Sequence, residues 1–228
     1  MPSRAGSTRT VSPLSPWVAT PRKCPRSVAR TSQLRIVGGR YRGRRLPVPD
    51  HPGLRPTADR TRETLFNWLT PVVAGARCLD AFAGSGALGL EAASRGAAEV
   101  VMLERAAGVL RQLQVNVRTL GATGISLHQV DALNWLSAPA AEPFDIVFLD
   151  PPFAEDLLGT AVDLLASQGW VAPGSRVYLE APSQAQFPAM PAGWEAIREK
   201  IAGQVRYGLA VVTESDGAGE VARESDSG

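Results

Sequence analysis

The sequence contains few of the residues that bind metals or form disulfides. Its 228 residues include two cysteines and two histidines, and neither Cys24 nor Cys78 has a metal-ligand spacing to the other or to a histidine. We therefore expect neither a metal site nor a disulfide framework, and a reducing cytoplasm is the expected compartment. No apolar run approaches the roughly 18 residues that a membrane-spanning helix needs, so no membrane partner is expected.

Acidic residues are missing from the first 33 residues. Residues 1–62 carry 14 basic and two acidic residues, whereas residues 63–228 carry 10 basic and 20 acidic residues. The net charge of +2 thus hides a local charge of +12 beside one of −10. This asymmetry predicts a polyanionic partner, usually nucleic acid, although a solvated tail would have the same composition. We expect residues 1–33 to be a disordered basic extension and residues 213–228 a disordered acidic tail.

The segment between the extension and the main domain predicts a hairpin. Residues 34–56 contain β-type residues around Gly38-Gly39 and Gly43, with several arginines nearby. We interpret them as an arginine-rich hairpin that forms a nucleic-acid-binding arm. Apolar residues at helical spacing then predict a helix from Thr57 to Leu69.

From Arg77 onward, strand-like and helix-like segments alternate. This alternation predicts an α/β domain over residues 57–212, with a mostly parallel sheet, helices on both of its faces and an antiparallel edge. We expect strands at 77–82, 99–104, 125–130, 144–149, 175–180 and 205–212, a seventh near 194–201, and helices at 86–95, 105–119 and 156–168.

A glycine-rich loop follows the first strand of this domain. Gly84, Gly86 and Gly89 have the G-x-G-x-x-G spacing of a dinucleotide-binding loop, and Glu104 ends the next strand. The spacing alone fits NAD as well as it fits other adenosine ligands. Asp80 favours S-adenosylmethionine, because a carboxylate beside the loop suits a cationic ligand better than a pyrophosphate.

Asp131 follows the third strand. Its carboxylate could accept a hydrogen bond from an adenine amine, or it could cap the helix that begins next to it. The sequence leaves both interpretations open.

Asp150-Pro151-Pro152-Phe153 closes an apolar strand at the end where open α/β sheets bind ligands. The prolines stiffen the loop and remove two backbone donors. The aromatic ring can stack on a flat heterocycle while Asp150 and the Pro151 carbonyl accept hydrogen bonds from an exocyclic amine. The segment therefore predicts a site for the amino group of a nucleobase, with a rigid strand-to-helix turn as the alternative.

Several motifs together resemble known methyltransferases. The Asp80 loop, Glu104, Asp131 and the Asp150 motif occur in the order seen in class I S-adenosylmethionine-dependent methyltransferases. Further segments, which lie within about residues 34–212, resemble the RsmD family: Arg35-Ile36-Val37-Gly38-Gly39, Arg42-Gly43-Arg44, Leu54-Arg55-Pro56-Thr57, Arg62-Glu63-Thr64-Leu65-Phe66-Asn67, Leu88-Gly89-Leu90-Glu91-Ala92, Ser94-Arg95-Gly96 and Glu199-Lys200-x-Ala202-Gly203-Gln204-Val205-x-Tyr207.

The resemblance implies a Rossmann-like class I methyltransferase fold with a seven-stranded sheet and an N-terminal β-hairpin extension. It also implies an enzyme that methylates N2 of one guanine in 16S rRNA, free or in the 30S particle. We expect it to be a monomer. The implied catalytic residues are Asp150, Pro151, Pro152 and Phe153. The implied residues for S-adenosylmethionine are Asp80, Phe82, Ala83, Gly84, Ser85, Gly86, Glu104, Asp131 and Ala132.

The arginines of the hairpin and of the following helix are the candidates for contacts with RNA phosphates. Such contacts would fix register and affinity rather than choose the base. The set comprises Arg35, Arg40, Arg42, Arg44, Arg45, Arg55 and Arg62. Glu91 and Arg95, on the helix after the glycine loop, are expected to be structural.

Two other functions compete with this prediction. A DNA adenine-N6 or other nucleobase amino-methyltransferase could use the Asp150 motif, but the chain has no obvious inserted domain that would read duplex sequence. A dinucleotide-binding or non-catalytic domain could use the glycine loop, but Asp80 and the Asp150 motif would then have no evident task.

Overall fold

The computed structural model describes residues 32–49 and 58–214. These residues belong to one compact unit. The predicted basic extension, except for Ser32 and Gln33, lies outside the described residues, as do Arg55 and nearly all of the predicted acidic tail. Because Ser32 and Gln33 are already part of the first strand, the hairpin begins slightly before the predicted boundary.

The described chain forms a two-stranded hairpin followed by an α/β domain. Its strands are β1 Ser32–Arg35, β2 Arg45–Val48, β3 Arg77–Asp80, β4 Glu99–Leu103, β5 Ile125–His128, β6 Ile146–Leu149, β7 Arg176–Pro182, β8 Trp194–Ala202 and β9 Val205–Val212. Its helices are α1 Asp59–Leu69, α2 Ala87–Ser94, α3 Ala107–Leu120, α4 Ala132–Leu136 and α5 Leu158–Ser167. A 3₁₀ turn spans Phe153–Glu155.

The main sheet has seven strands in the order β5-β4-β3-β6-β7-β9-β8. Strands β3 to β7 are parallel, and β9 pairs antiparallel with both of its neighbours, which confirms the predicted mixed sheet. From β3 the chain builds outward through β4 and β5, then returns to place β6 on the other side of β3. The strand order therefore reverses between β3 and β6, and a crevice opens at such a reversal.

Alternating side chains of the strands build a hydrophobic core on each face of the sheet. Cys78 packs on the face that carries α1, α2, α3 and the hairpin, whereas the adjacent Leu79 packs on the face that carries α4 and α5. The thiol of Cys78 is buried, and burial raises its pKa to about 12. This confirms Cys78 as a small core residue.

Two short elements were not expected from the sequence. Helix α4 has only five residues and the 3₁₀ turn has three, which is too short for a hydrophobic period to be recognised. The third predicted long helix also begins later than expected, at Leu158, since Asp156 adopts the left-handed conformation (φ 46°) and ends the 3₁₀ turn.

The hairpin packs on the main domain instead of projecting from it. Leu34, Ile36 and Leu46 are almost fully buried in the core. The Tyr41 N–H donates to the Ser94 hydroxyl (2.9 Å). A side chain at Gly39 (φ 73°) would collide with the backbone carbonyl of Ser94, so only glycine allows this close approach.

Glu91 on α2 connects the hairpin to the domain and is fully buried. Its carboxylate accepts hydrogen bonds from the backbone N–H groups of Val37 (2.8 Å) and Gly38 (2.7 Å). The guanidinium of Arg95 donates to it at 2.9 Å, and Arg62 Nη1 lies 3.6 Å from Oε2. The structural role expected for Glu91 and Arg95 is thereby confirmed.

The structure corrects the prediction for Arg62. Its side chain is fully buried and donates to the Arg35 carbonyl (2.7 Å) and to Asp59 (2.5 Å), so it cannot contact an RNA phosphate. The helix period of α1 turns Arg62 toward the core, and the buried Glu91 carboxylate offsets its charge.

Replacing Glu91 with Ala is expected to destabilise the fold by about 3–5 kcal/mol, because two backbone donors and two guanidinium groups would lose a buried partner. Chemical denaturation measures this change. The control is Glu99→Ala, which removes a partly exposed partner of Arg77 and should cost at most about 1 kcal/mol. Equal losses in the two variants would contradict the role of Glu91.

Candidate active site

A cavity of about 1170 Å³ lies at the carboxyl ends of the central parallel strands. The predicted residues that line it come from three regions: the β3 loop, the segments after β4 and β5, and the segment after β6. They are Asp80, Phe82, Ala83, Gly84, Ser85, Glu104, Asp131, Ala132, Asp150, Pro151, Pro152 and Phe153. The structure thus brings together almost every residue that the sequence predicted for the cofactor and for catalysis.

Two carboxylates shape the glycine loop. Asp80 Oδ2 accepts a hydrogen bond from the Gly89 N–H (2.9 Å), which ties the end of β3 to the first turn of α2. Glu104 Oε2 accepts from the Gly84 N–H (3.0 Å), and its Oε1 accepts from the Ala106 N–H (2.6 Å). The loop is therefore held open against β4 by side chains that also line the cavity.

Gly86 is the exception among the predicted cofactor residues, since it is not among the residues that line the cavity. It adopts a left-handed conformation (φ 81°) before α2, and a side chain there would lie 2.5 Å from a methyl group of Leu113. The absence of a side chain at Gly86 thus allows α2 and α3 to pack closely. The loop spacing that suggested ligand contact has a packing cause at this position.

Asp80 is an unusual carboxyl group because it is buried and close to another carboxylate. Burial raises its pKa from the usual 3.8 to about 7; the hydrogen bond from Gly89 acts in the opposite direction, and the charge of Glu104 adds to the increase. A cation bound beside Asp80 would favour the ionised form. The site therefore has an electrostatic preference for a positively charged ligand.

Asp131 precedes α4 and acts as its N-cap, because its Oδ1 accepts from the Asn134 N–H (3.1 Å). It also lines the cavity. The two interpretations that the sequence left open are thus compatible, since one carboxylate oxygen caps the helix and the residue still faces the ligand space.

The Asp150 motif forms the other side of the cavity. Asp150 is partly buried directly after β6, Pro151 is buried, and Phe153 is 44% exposed within the 3₁₀ turn. A bidentate ion pair joins Arg105, directly after Glu104, to Glu155 in this turn. Phe153 is the one aromatic among the large exposed apolar side chains of the described residues, so its ring is available to a planar ligand.

The predicted phosphate-binding arginines lie outside the cavity. Arg40, Arg42, Arg44 and Arg45 are exposed on the hairpin, where Arg44 Nη2 donates to the Thr119 carbonyl (2.9 Å). Arg35 forms an exposed ion pair with Asp59. Arg60 and Arg105 do line the cavity, although neither was among the predicted site residues.

Sequence reasoning also missed the contribution of the last strands. Glu180 and Pro182 of β7 line the cavity, as do Ala202, Gln204 and Val205 at the β8–β9 turn. Glu180 is 5% exposed. The rule that ligands bind at the carboxyl ends of parallel strands could have identified Glu180, because its strand is the neighbour of β6.

Two searches of the described residues complete the description of the site. In residues 32–49 and 58–214, no group of three or more His, Cys, Asp or Glu residues could hold a metal ion. No helix in that part of the chain is long and apolar enough to cross a membrane.

The Asp80 carboxyl should make stability depend on pH. Its folded pKa of about 7 exceeds its usual 3.8, so the folded state binds the proton more tightly and the free energy of unfolding falls as pH rises from about 4 to about 7. Asp80→Asn removes this loss, so its stability relative to the parent protein should rise by about 4 kcal/mol across that window. Denaturation at several pH values tests this. The exposed Asp163→Asn serves as the control, and a flat difference for Asp80→Asn would contradict the assignment.

Comparison with known proteins gives consistent matches over the same region. A family model described as Conserved hypothetical protein 95 matches residues 34–211. Ribosomal RNA small subunit methyltransferase D of Escherichia coli strain K12 is 51% identical over 179 residues, which cover 78% of this chain and 90% of that protein. The enzyme of the same name from Haemophilus influenzae is 43% identical over 180 residues, 78% of this chain and 93% of that protein.

A solved structure agrees with these matches. The Escherichia coli protein yhhF has a TM-score of 0.75 and 47% identity, with 80% of this chain and 99% of that chain covered. The fold, the composition of the site and the full-length matches therefore lead to one conclusion: the chain belongs to the RsmD family of methyltransferases.

Proposed function

We propose that this protein transfers a methyl group from S-adenosylmethionine to the exocyclic N2 amine of one guanine in 16S rRNA. The observation that carries the proposal is the position of Asp80 and Asp150. Asp80 of β3 is paired with Phe148 of the adjacent β6, and Asp150 lies two residues further along that strand. Both line the same cavity, so a cationic methyl donor and a base amine can be held side by side.

The residues beside the glycine loop fit S-adenosylmethionine. When bound, it supplies an electrophilic methyl group on a positively charged sulfur. The buried Asp80 carboxylate would stabilise the positive charge of this ligand, because ionisation of Asp80 is otherwise unfavourable. Glu104 is placed to accept from the ribose hydroxyls, and Asp131 from the adenine amine.

The Asp150 motif would hold the nucleophile. The guanine amine is a poor nucleophile, because its lone pair is delocalised into the ring. Asp150 and the Pro151 carbonyl, by accepting its two hydrogens, would draw the nitrogen toward tetrahedral geometry. Phe153 would stack on the base and hold it at a near-attack distance of about 3–3.5 Å. Asp150 or water then accepts the proton that the amine loses after transfer.

The RNA would reach the site as an unpaired or flipped nucleotide, because an amine inside a helix is inaccessible. The exposed hairpin arginines, namely Arg40, Arg42, Arg44 and Arg45, would contact phosphates and fix the register. Residues 34–56 thus form an RNA-binding arm that is packed on the methyltransferase domain of residues 57–212. We propose that the protein acts in the cytoplasm, on free 16S rRNA or on the 30S particle.

The proposal includes a monomeric enzyme. Among the described residues, the large exposed apolar side chains are Val115, Phe153 and Ile201, and they lie on separate elements, α3, the 3₁₀ turn and β8. Single exposed apolar residues of this kind are ordinary on a monomer surface.

Asp150→Ala should abolish methyl transfer while leaving the affinity for S-adenosylmethionine within about threefold, because Asp150 acts on the base and not on the cofactor. General acid–base and positioning roles of this kind contribute about 10²–10⁴-fold to the rate. Asp80→Ala is the matched variant and should instead lose cofactor binding. Equilibrium titration of the cofactor and transfer of a tritiated methyl group measure the two effects. Near-normal turnover by Asp150→Ala would sink the proposed role.

Replacing Arg40, Arg42 and Arg45 together with Ala should weaken RNA binding and lower the slope of log K against log salt by about 2–3, since each lost phosphate contact removes close to one released counterion. Arg44 stays in place because it also binds the Thr119 carbonyl. Arg198→Ala on β8 is the single-charge control and should change the slope by less than about 1. If the triple variant keeps the slope of the parent protein, the hairpin does not contact RNA.

A further inference from the structure

Glu180 lies beside Asp150 at the bottom of the cavity. Leu149 of β6 pairs with Leu179 of β7, so Asp150 and Glu180 are the next residues in register on adjacent parallel strands. Side chains at the same register position point to the same face of a sheet. Both residues line the cavity, so two carboxyl groups face the position proposed for the base.

Tyr178 fixes the Glu180 side chain. The Tyr178 hydroxyl donates to Glu180 Oε2 (2.7 Å), and Tyr178 itself is fully buried against Phe148 and Tyr207. No second hydrogen bond to the Glu180 carboxyl is formed within the described part of the chain. Burial raises the pKa of Glu180, and the tyrosine hydroxyl acts in the opposite direction. A second donor from a ligand would therefore stabilise the ionised carboxylate further.

The chemistry of the bases gives this acceptor a specific use. Three bases carry an exocyclic amine, and in each one the amine has a ring nitrogen as its neighbour. In guanine that nitrogen, N1, carries a hydrogen and is a donor. In adenine (N1) and cytosine (N3) the corresponding nitrogen bears a lone pair and is an acceptor. A carboxylate next to the amine site would therefore accept a hydrogen bond from guanine and repel the other two bases.

We propose that Glu180 determines specificity by accepting a hydrogen bond from N1–H of the target guanine, while Asp150 and the Pro151 carbonyl accept the amine hydrogens. This inference rests on the proposed function and adds the residue that decides which amino-bearing base is methylated. Tyr178 is the positioning residue, because it holds one carboxylate oxygen and directs the other toward the base.

The base 2,6-diaminopurine separates this role from recognition of the amine. It keeps the amine at C2, but its N1 bears a lone pair. Small ribosomal subunits are assembled with 16S rRNA that carries either guanine or 2,6-diaminopurine at the mapped target nucleotide, and kcat/KM is measured for both. Glu180 should make the enzyme prefer guanine by at least about 100-fold, since sites built to bind an N–H group strongly reject analogues without it.

Glu180→Gln should reduce this preference to about tenfold or less, because an amide can either accept from N1–H or donate to an N1 lone pair. Tyr178→Phe, which keeps the ring and the Glu180 charge, should give an intermediate preference. The matched control is Glu142→Gln, an exposed residue before β6 at the opposite end of the strands, which should leave the preference unchanged.

The outcomes separate this inference from the proposed function. If the parent enzyme methylates guanine and Glu180→Gln keeps the full preference, Glu180 does not determine specificity, although the function stands. If Glu180→Gln does not fold, an unchanged preference in Tyr178→Phe overturns the inference. If the parent enzyme transfers no methyl group to guanine N2, the proposed function itself fails.

Discussion

The reversal of strand order between β3 and β6 is the constraint on which the site depends. Crossovers on the two sides of this point run in opposite directions, so no connection covers the carboxyl ends of the two strands. The crevice is therefore lined by whatever follows β3 and β6, here Asp80 with its glycine loop and Asp150 with its prolines. The donor site and the acceptor site are neighbours because their strands are hydrogen-bonded to each other.

A second constraint concerns the use of positive charge near the N-terminus. Arg62 and Arg95 are consumed by the buried Glu91 carboxylate, which also binds two backbone N–H groups of the hairpin. This network fastens the hairpin to α2, and the hairpin's remaining arginines stay on the surface. The arginines of this region therefore divide into a structural set and a set that is exposed to a polyanion. Because the hairpin is packed on the domain, the proposed RNA contacts would be fixed in position relative to the cavity.

The sequence predicted the elements whose signals are local and missed those set by packing. The glycine loop, the Asp150 motif and the alternation of strands and helices were all legible, since each depends on neighbouring residues. Arg62 and Gly86 were misinterpreted because composition and spacing do not show which way a side chain points; one faces Glu91 and the other leaves room for Leu113. Glu180 was missed because it becomes part of the site only through the pairing of β7 with β6.

The central claim is that this site methylates a guanine amine in 16S rRNA, and the product nucleoside tests it most directly. Small subunits from a strain that lacks the gene are incubated with the purified protein and S-adenosylmethionine carrying a tritiated methyl group. The RNA is then digested to nucleosides and separated by chromatography. The account predicts one labelled product, N2-methylguanosine, at one position of the 16S rRNA. Label in N6-methyladenosine, or an absence of label in 16S rRNA, would contradict it.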